Sequence, residues 1–152
     1  MAAATALFAP SPDEKEFGFV TVPVAASTKI FGGTMVALDA SGNAVPASDT
    51  TGLVTLGKCV VYGGTVVDNS AGAAGALKVT VKLSLGRIAY LYNNDTGSPV
   101  VAADRYLNVN VLDDNTVAHT TSNSIVAGKF VGFDTDLSGA VVTTKCWIVF
   151  AN

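Results

Sequence analysis

Residues Lys78 to Leu85 alternate without a break: Val79, Val81, Leu83 and Leu85 stand between Lys78, Thr80, Lys82 and Ser84. A period of two puts every apolar side chain on one side of an extended chain, so this stretch reads as a β-strand with one face buried. Beyond Gly86 and Arg87 the larger apolar residues continue at Ile88, Tyr90 and Tyr92, on the opposite parity. One extra residue in a strand produces such a flip. The segment is therefore expected to carry a β-bulge or sharp bend at Gly86-Arg87, of the kind that takes a long strand round a barrel corner.

The rest of the chain supports that class. It holds 22 Val and 16 Thr but two Glu and no Gln. β-branched residues fit a pleated surface, and the missing long polar residues are those that clothe helices. Thr34–Leu38 and Ala44–Pro46 flank Asp39-Ala-Ser-Gly42-Asn43 and predict a hairpin, because Gly and Asn accept positive φ. Leu53–Tyr62 reads as a strand and Asp68–Gly75 as a loop. Arg105–Leu112 alternates again, Asp113–Asn115 turns the chain, and Thr116–His119 returns. Ser124–Phe133 and Val141–Phe150 close the series, and Pro99–Tyr106 offers one or two helical turns at most. Turn signals every 8 to 15 residues or so predict an all-β fold, an antiparallel β-barrel or β-sandwich of β-tulip-like form.

Residues 1–30 lack this alternation. Pro10 and Pro12 cannot donate to a ladder, and Asp13-Glu-Lys-Glu16 is strongly polar. The expectation is an extended N-terminal arm over 1–30 and a β-barrel domain over 31–152. Leu7, Phe8, Phe17 and Phe19 are the candidate partner-binding residues, since a solvated arm has no need of aromatics. Docking on a neighbour and packing on its own domain both remain open.

Charged residues make up 14% of the chain, against about 25% in an ordinary soluble domain, and 49% of residues are hydrophobic. So few charges point to apolar surface covered by a partner or by sister subunits, the alternative being a monomer whose Ala, Gly and Val residues inflate the hydrophobic count. Net charge is −3 with the basic residues scattered, so neither nucleic acid nor an anionic membrane is an expected partner. No run of about 18 apolar residues occurs, and Met1–Ala9 carries no basic residue of the sort a secretory signal needs. Cys59 and Cys146 lack metal-site spacing; two buried free thiols are expected, with a single disulfide left open.

Little catalytic chemistry is visible. His119 is the one histidine, so any Ser-His-Asp arrangement must use it, yet it lies in a hairpin arm outside any nucleophile motif. Asp134-Thr-Asp136-Leu-Ser138-Gly139 matches the opening of a calcium-binding EF-hand loop. The twelfth position, however, is Lys145 where a bidentate Glu is needed, and a β-turn is the better reading. Gly72 and Gly75 lack the Lys-Ser/Thr of a phosphate loop. No enzyme activity, cofactor or metal is expected.

One resemblance emerges from the order of the turns. Gly33-Thr-Met-Val-Ala-Leu-Asp-Ala-Ser-Gly-Asn-Ala-Val-Pro-Ala47, then Gly52–Gly57, resembles the opening of bacteriophage capsid cement (decoration) proteins. Asp68-Asn69 with Gly72, Gly75 and Val79–Val81 is similar to their next loop, as are Asp104–Leu107, Asp113–Val117 and Gly128–Gly132 to later segments. The likeness spans roughly residues 30–150. It implies a non-catalytic virion structural protein on the capsid exterior, assembled in the host cytoplasm. Its implied partner is the major capsid protein and its implied state a homo-oligomer, a trimer at a local symmetry axis. The alternative reading is a carbohydrate- or host-surface-binding β module of a head fibre, which requires exposed aromatics on one face.

Overall fold

A computed structural model of the chain describes residues 18–61 and 64–151. Among these residues twelve strands run in order: β1 Phe19–Pro23, β2 Thr28–Phe31, β3 Met35–Leu38, β4 Ala44–Pro46, β5 Val54–Val60, β6 Val66–Asn69, β7 Lys78–Lys82, β8 Tyr90–Asn94, β9 Asn108–Asp113, β10 Thr116–Ala118, β11 Val126–Thr135 and β12 Val141–Phe150. Among the described residues a single 3₁₀ turn, Ala102–Asp104, falls inside the segment expected to be helical. The protein is all-β.

The strands divide into two halves. In the first, β1-β7-β5-β3-β4 form an antiparallel sheet, accompanied by the two-stranded β2-β6 ribbon. In the second, β10-β8-β12-β11-β9 close into a barrel. The closing pair, β10 with β8, is parallel, while the other barrel pairs are antiparallel. Each half has its own apolar core. Val24, Ile30, Val36, Cys59, Val79 and Val81 fill the sheet half. Tyr92, Val109, Val111, Phe130, Cys146, Ile148 and Phe150 fill the barrel. β3 joins the two by simple alternation: Met35 and Ala37 face the barrel core and Val36 faces the sheet core.

Two hairpins share one turn. In Asp39-Ala-Ser-Gly42-Asn43, Oδ1 of Asp39 accepts from the backbone N–H of Ser41 and Asn43, both at 2.9 Å, and Gly42 has φ +77°. In Asp136-Leu-Ser-Gly139-Ala140, Oδ1 of Asp136 accepts from Ser138 and Ala140 N–H at 2.8 and 3.0 Å, and Gly139 has φ +83°. The second turn is the former EF-hand lookalike. Its carboxylate closes its own hairpin, and these three hydrogen bonds, from the Ser138 hydroxyl and backbone and from Ala140, hold Asp136 below the usual carboxylate range.

The structure departs from three expectations. The alternating stretch is not one bent strand: β7 ends at Lys82 in the sheet, and β8 begins at Tyr90 in the barrel. Arg87 and Ile88 N–H both donate to the Ser84 carbonyl, with Leu85 at φ +50° and Gly86 at φ +69°. The parity flip thus marks a change of sheet. Second, the arm expected over 1–30 contains β1 and most of β2; residues 1–17, with Leu7, Phe8 and Phe17, lie outside the described residues. Pro23 does not break β1. Hydrogen bonds from Leu83 N to Gly18 O and from Val24 N to Leu77 O fix the phase of the ladder, so position 23 faces the open edge where no N–H is required. Third, Asp68 and Asn69 belong to β6, opposite Lys29 and Thr28, and the loop starts after them.

Candidate partner-binding surface

Of the exposed aromatic residues among those described, Phe19 and Tyr106 line two hollows, while Phe31 stands on the β2–β6 ribbon. Phe19, on β1, is 50% exposed, and Lys82 Nζ lies 5.6 Å from its ring centroid. Beside it a cleft of about 540 Å³ is lined by Phe19, Gly33, Lys58, Lys82 and Tyr90, with Lys58 Nζ 5.4 Å from the Tyr90 centroid. A second groove, of about 620 Å³, is lined by Leu85, Tyr106, Lys129, Val131, Val149 and Phe150. Behind the two hollows the buried rings of Tyr90, from the cleft, and Phe150, from the groove, pack with centroids 5.4 Å apart.

The wall of the groove is built from backbone under strain. Tyr106 has φ +65° and Leu85 φ +50°, a region bulky side chains rarely enter. Each is held there. Tyr106 N–H donates to Phe130 O at 2.7 Å, and Phe130 N–H to Leu107 O at 3.0 Å. The 3₁₀ turn just before is tied down by Asp104, which accepts Val101 N–H on Oδ2 at 2.9 Å. The result is that Tyr106 stands 67% exposed and Leu107 56% exposed on rigid backbone. Large apolar side chains held outward at a cost of order 1–3 kcal/mol per strained residue are a signature of a contact surface.

Of the four residues singled out by sequence, only Phe19 lies among the described residues, and it lines the cleft. Leu85 and Tyr106 were not distinguishable in the sequence. Left-handed backbone at a non-glycine residue leaves no compositional trace, and Tyr106 merely looked like the start of an alternating strand.

His119 has a partner that sequence spacing could not show. Its Nδ1 lies 3.0 Å from Oδ1 of Asp104, whose side chain is buried while the imidazole is half exposed. Among the described residues Nε2 makes no hydrogen bond, and the nearby Ser98 hydroxyl is engaged with Thr120 Oγ1 at 2.8 Å and accepts Thr120 N–H at 3.1 Å. The pair has the orienting half of a hydrolytic triad without a hydroxyl on the working nitrogen. What it does do is brace the Asp104 turn that presents Tyr106. Cys59 and Cys146 are both free and buried, one in each core. Burial pushes their thiols up to about 11 and about 12, so neither supplies a thiolate near neutrality. No group of three or more potential metal ligands occurs among the described residues.

Comparison with protein-family models, with curated proteins and with solved structures yields no match for the chain.

Proposed function

We propose that the protein decorates a bacteriophage capsid, bridging major capsid protein subunits on the outer head surface as a homotrimer at a local symmetry axis. The observation that carries this reading is the seam: Phe19, Leu85 and Tyr106 stand outward around two hollows, with Leu107 exposed next to Tyr106, on backbone fixed by strands and hydrogen bonds. A rigid apolar surface loses little entropy on docking, which suits protein–protein contact. The order of turn motifs along residues 30–150 supports the same reading. A capsid lattice then multiplies one modest contact into a firm attachment, because neighbouring subunits bind with high effective concentration.

The test is co-sedimentation with undecorated capsid shells of the phage that encodes the chain. The protein is expected to pellet with shells and to raise their resistance to heat, and Tyr106→Ser is expected to weaken retention about ten-fold, the loss of one anchoring aromatic. Binding to glycans or host cells, with none to shells, would replace this reading by a host-surface module. Mass measurement in solution tests the trimer, which a stable monomer at high concentration contradicts.

A further inference from the structure

The outer edge of β1 sets unpaired backbone beside unpaired charge. In the β1–β7 ladder the bonds of Gly18 and Val24 show that even-numbered residues turn their N–H and C=O groups to β7. Phe19 and Thr21 therefore turn theirs to the open edge. Among the described residues none of these four groups has a partner. Pro23 ends the open stretch by lacking a donor, and the bridge of Val24 to Ala44 closes the edge beyond it. The uncovered strand leaves Val20 and Val22 only partly buried although they pack on the sheet core.

The charge lies on the outer face of the same strands. Phe19 is opposite Lys82, Lys82 is opposite Lys58, and Pro23 is opposite Lys78, so all five side chains share one face. Among the described residues none of the three ammonium groups has a carboxylate within 4.0 Å; the ion pairs there are Lys29–Asp68 and His119–Asp104. Like charges directly opposite one another, as on Lys58 and Lys82, destabilise a strand pair. Lys82 Nζ lies 5.6 Å from the Phe19 ring centroid, so its charge extends across β1 towards the edge.

An added strand meets both features at once. Its residue opposite Phe19 exchanges two hydrogen bonds with Phe19 and puts its side chain on the same face, within reach of the Lys82 ammonium. Its residue opposite Pro23 comes to Lys78 in the same way. A second copy does not suit the edge, because pairing β1 with β1 brings two uncompensated lysine rows to one face.

We infer that the open edge of β1 is a docking site for an extended acidic segment of a partner protein, which lengthens the five-stranded sheet by one antiparallel strand and sets carboxylates at Lys82 and Lys78. Main-chain hydrogen bonds to Phe19 and Thr21 hold the segment, and the lysines select it. The inference does not rest on the capsid reading and is tested without capsids.

The probe is the end-blocked peptide Thr-Glu-Val-Thr-Val-Glu-Thr, whose alternation puts both Glu and the central Thr on one face. Amide NMR titration of the full chain is expected to shift the Phe19 and Thr21 signals. Binding is expected to be about ten-fold tighter than for Thr-Lys-Val-Thr-Val-Lys-Thr. Lys78→Glu with Lys82→Glu is expected to reverse that preference. Two further peptides leave the protein untouched: methylating the central Thr nitrogen, which faces β1, is expected to abolish binding, and methylating a Val nitrogen, which faces away, to spare it. Equal binding of the acidic and basic peptides, or no shift at Phe19 and Thr21, overturns the inference. Slow amide exchange at these two residues in the protein alone overturns it as well, by assigning the edge to the chain itself or, where the slowing grows with concentration, to a second copy.

Discussion

In the barrel half every strand has a neighbour on both sides; in the sheet half the outer strands β1 and β4 are linked only through one isolated parallel bridge, Val24 with Ala44, where Ala25 N–H donates to Ala44 O, and β2 and β6 pair only with each other. The two cores differ in kind as well: Tyr90, Tyr92, Phe130 and Phe150 fill the barrel, while the sheet half is packed with Val, Ile, Leu and Ala and holds no aromatic among its buried residues, and each contains one buried cysteine. Closure removes the open row of N–H and C=O groups that invites a foreign strand, whereas an open sheet must blunt its edges by other means. Here the two outer strands of the five-stranded sheet end in proline, Pro23 on β1 and Pro46 on β4, and both positions face outward. Ala47 N to Met35 O and Asp39 N to Asn43 O set the phase of β4 as the bonds around β1 set its own. The difference teaches a division of labour. The closed half supplies rigidity enough to hold Tyr106 in a strained conformation, and the open half leaves Phe19 and the lysine cleft accessible beside it.

The comparison is broken most severely at the cores. Phe130→Ala is expected to cost about 3–5 kcal/mol and Ile30→Ala about 2–5 kcal/mol, each residue being fully buried. Urea unfolding measures both. Because β3 contributes to both cores, either substitution is expected to lower one shared transition, with Cys59 and Cys146 becoming reactive to a thiol reagent together. Cys59 reacting well before Cys146 would make the halves separate units.

A smaller effect sharpens the contrast between rigidity and contact. Tyr106→Gly removes the left-handed strain, so stability is expected to change by under about 1 kcal/mol while shell retention falls about ten-fold. A large loss of stability would show Tyr106 to be structural. The smallest expected effect lies at Asp68, on the ribbon of the sheet half. Hydrogen bonds from Ser70, then the Lys29 ammonium, pull its carboxyl down to about 2. A depressed folded pKa means that its contribution is complete above the ordinary value of 3.8 and is lost as pH falls from there towards 2. Carboxyl NMR is expected to find that low midpoint, and Ser70→Ala to move it upward; a midpoint near 3.8 in the parent would contradict the assignment.

What could be read in the sequence was local. The β3–β4 and β9–β10 hairpins follow from alternation on either side of turn residues, and the 3₁₀ turn lies within Pro99–Tyr106 as expected. Partnership could not be read. β6 was hidden because Asp68 and Asn69 are turn formers; they are held in a strand by pairing with β2, with Asn69 Nδ2 donating to Ala25 and Ala73 carbonyls at 2.9 Å. The site was half visible: Phe19 stood out as an aromatic beside a polar arm, but its place beside Lys58 depends on β7 lying between β1 and β5. Likewise, nothing in the 14 residues between Asp104 and His119 announces their contact.

Hydrogen–deuterium exchange of the protein free and bound to undecorated shells tests the central claim most directly, since it locates contact without altering a residue. New protection is expected at residues 18–21, 84–88 and 104–107 around the seam, and none at the Asp136–Ala140 hairpin, which lines neither hollow. Protection centred on that hairpin, with the seam unchanged, would contradict the account.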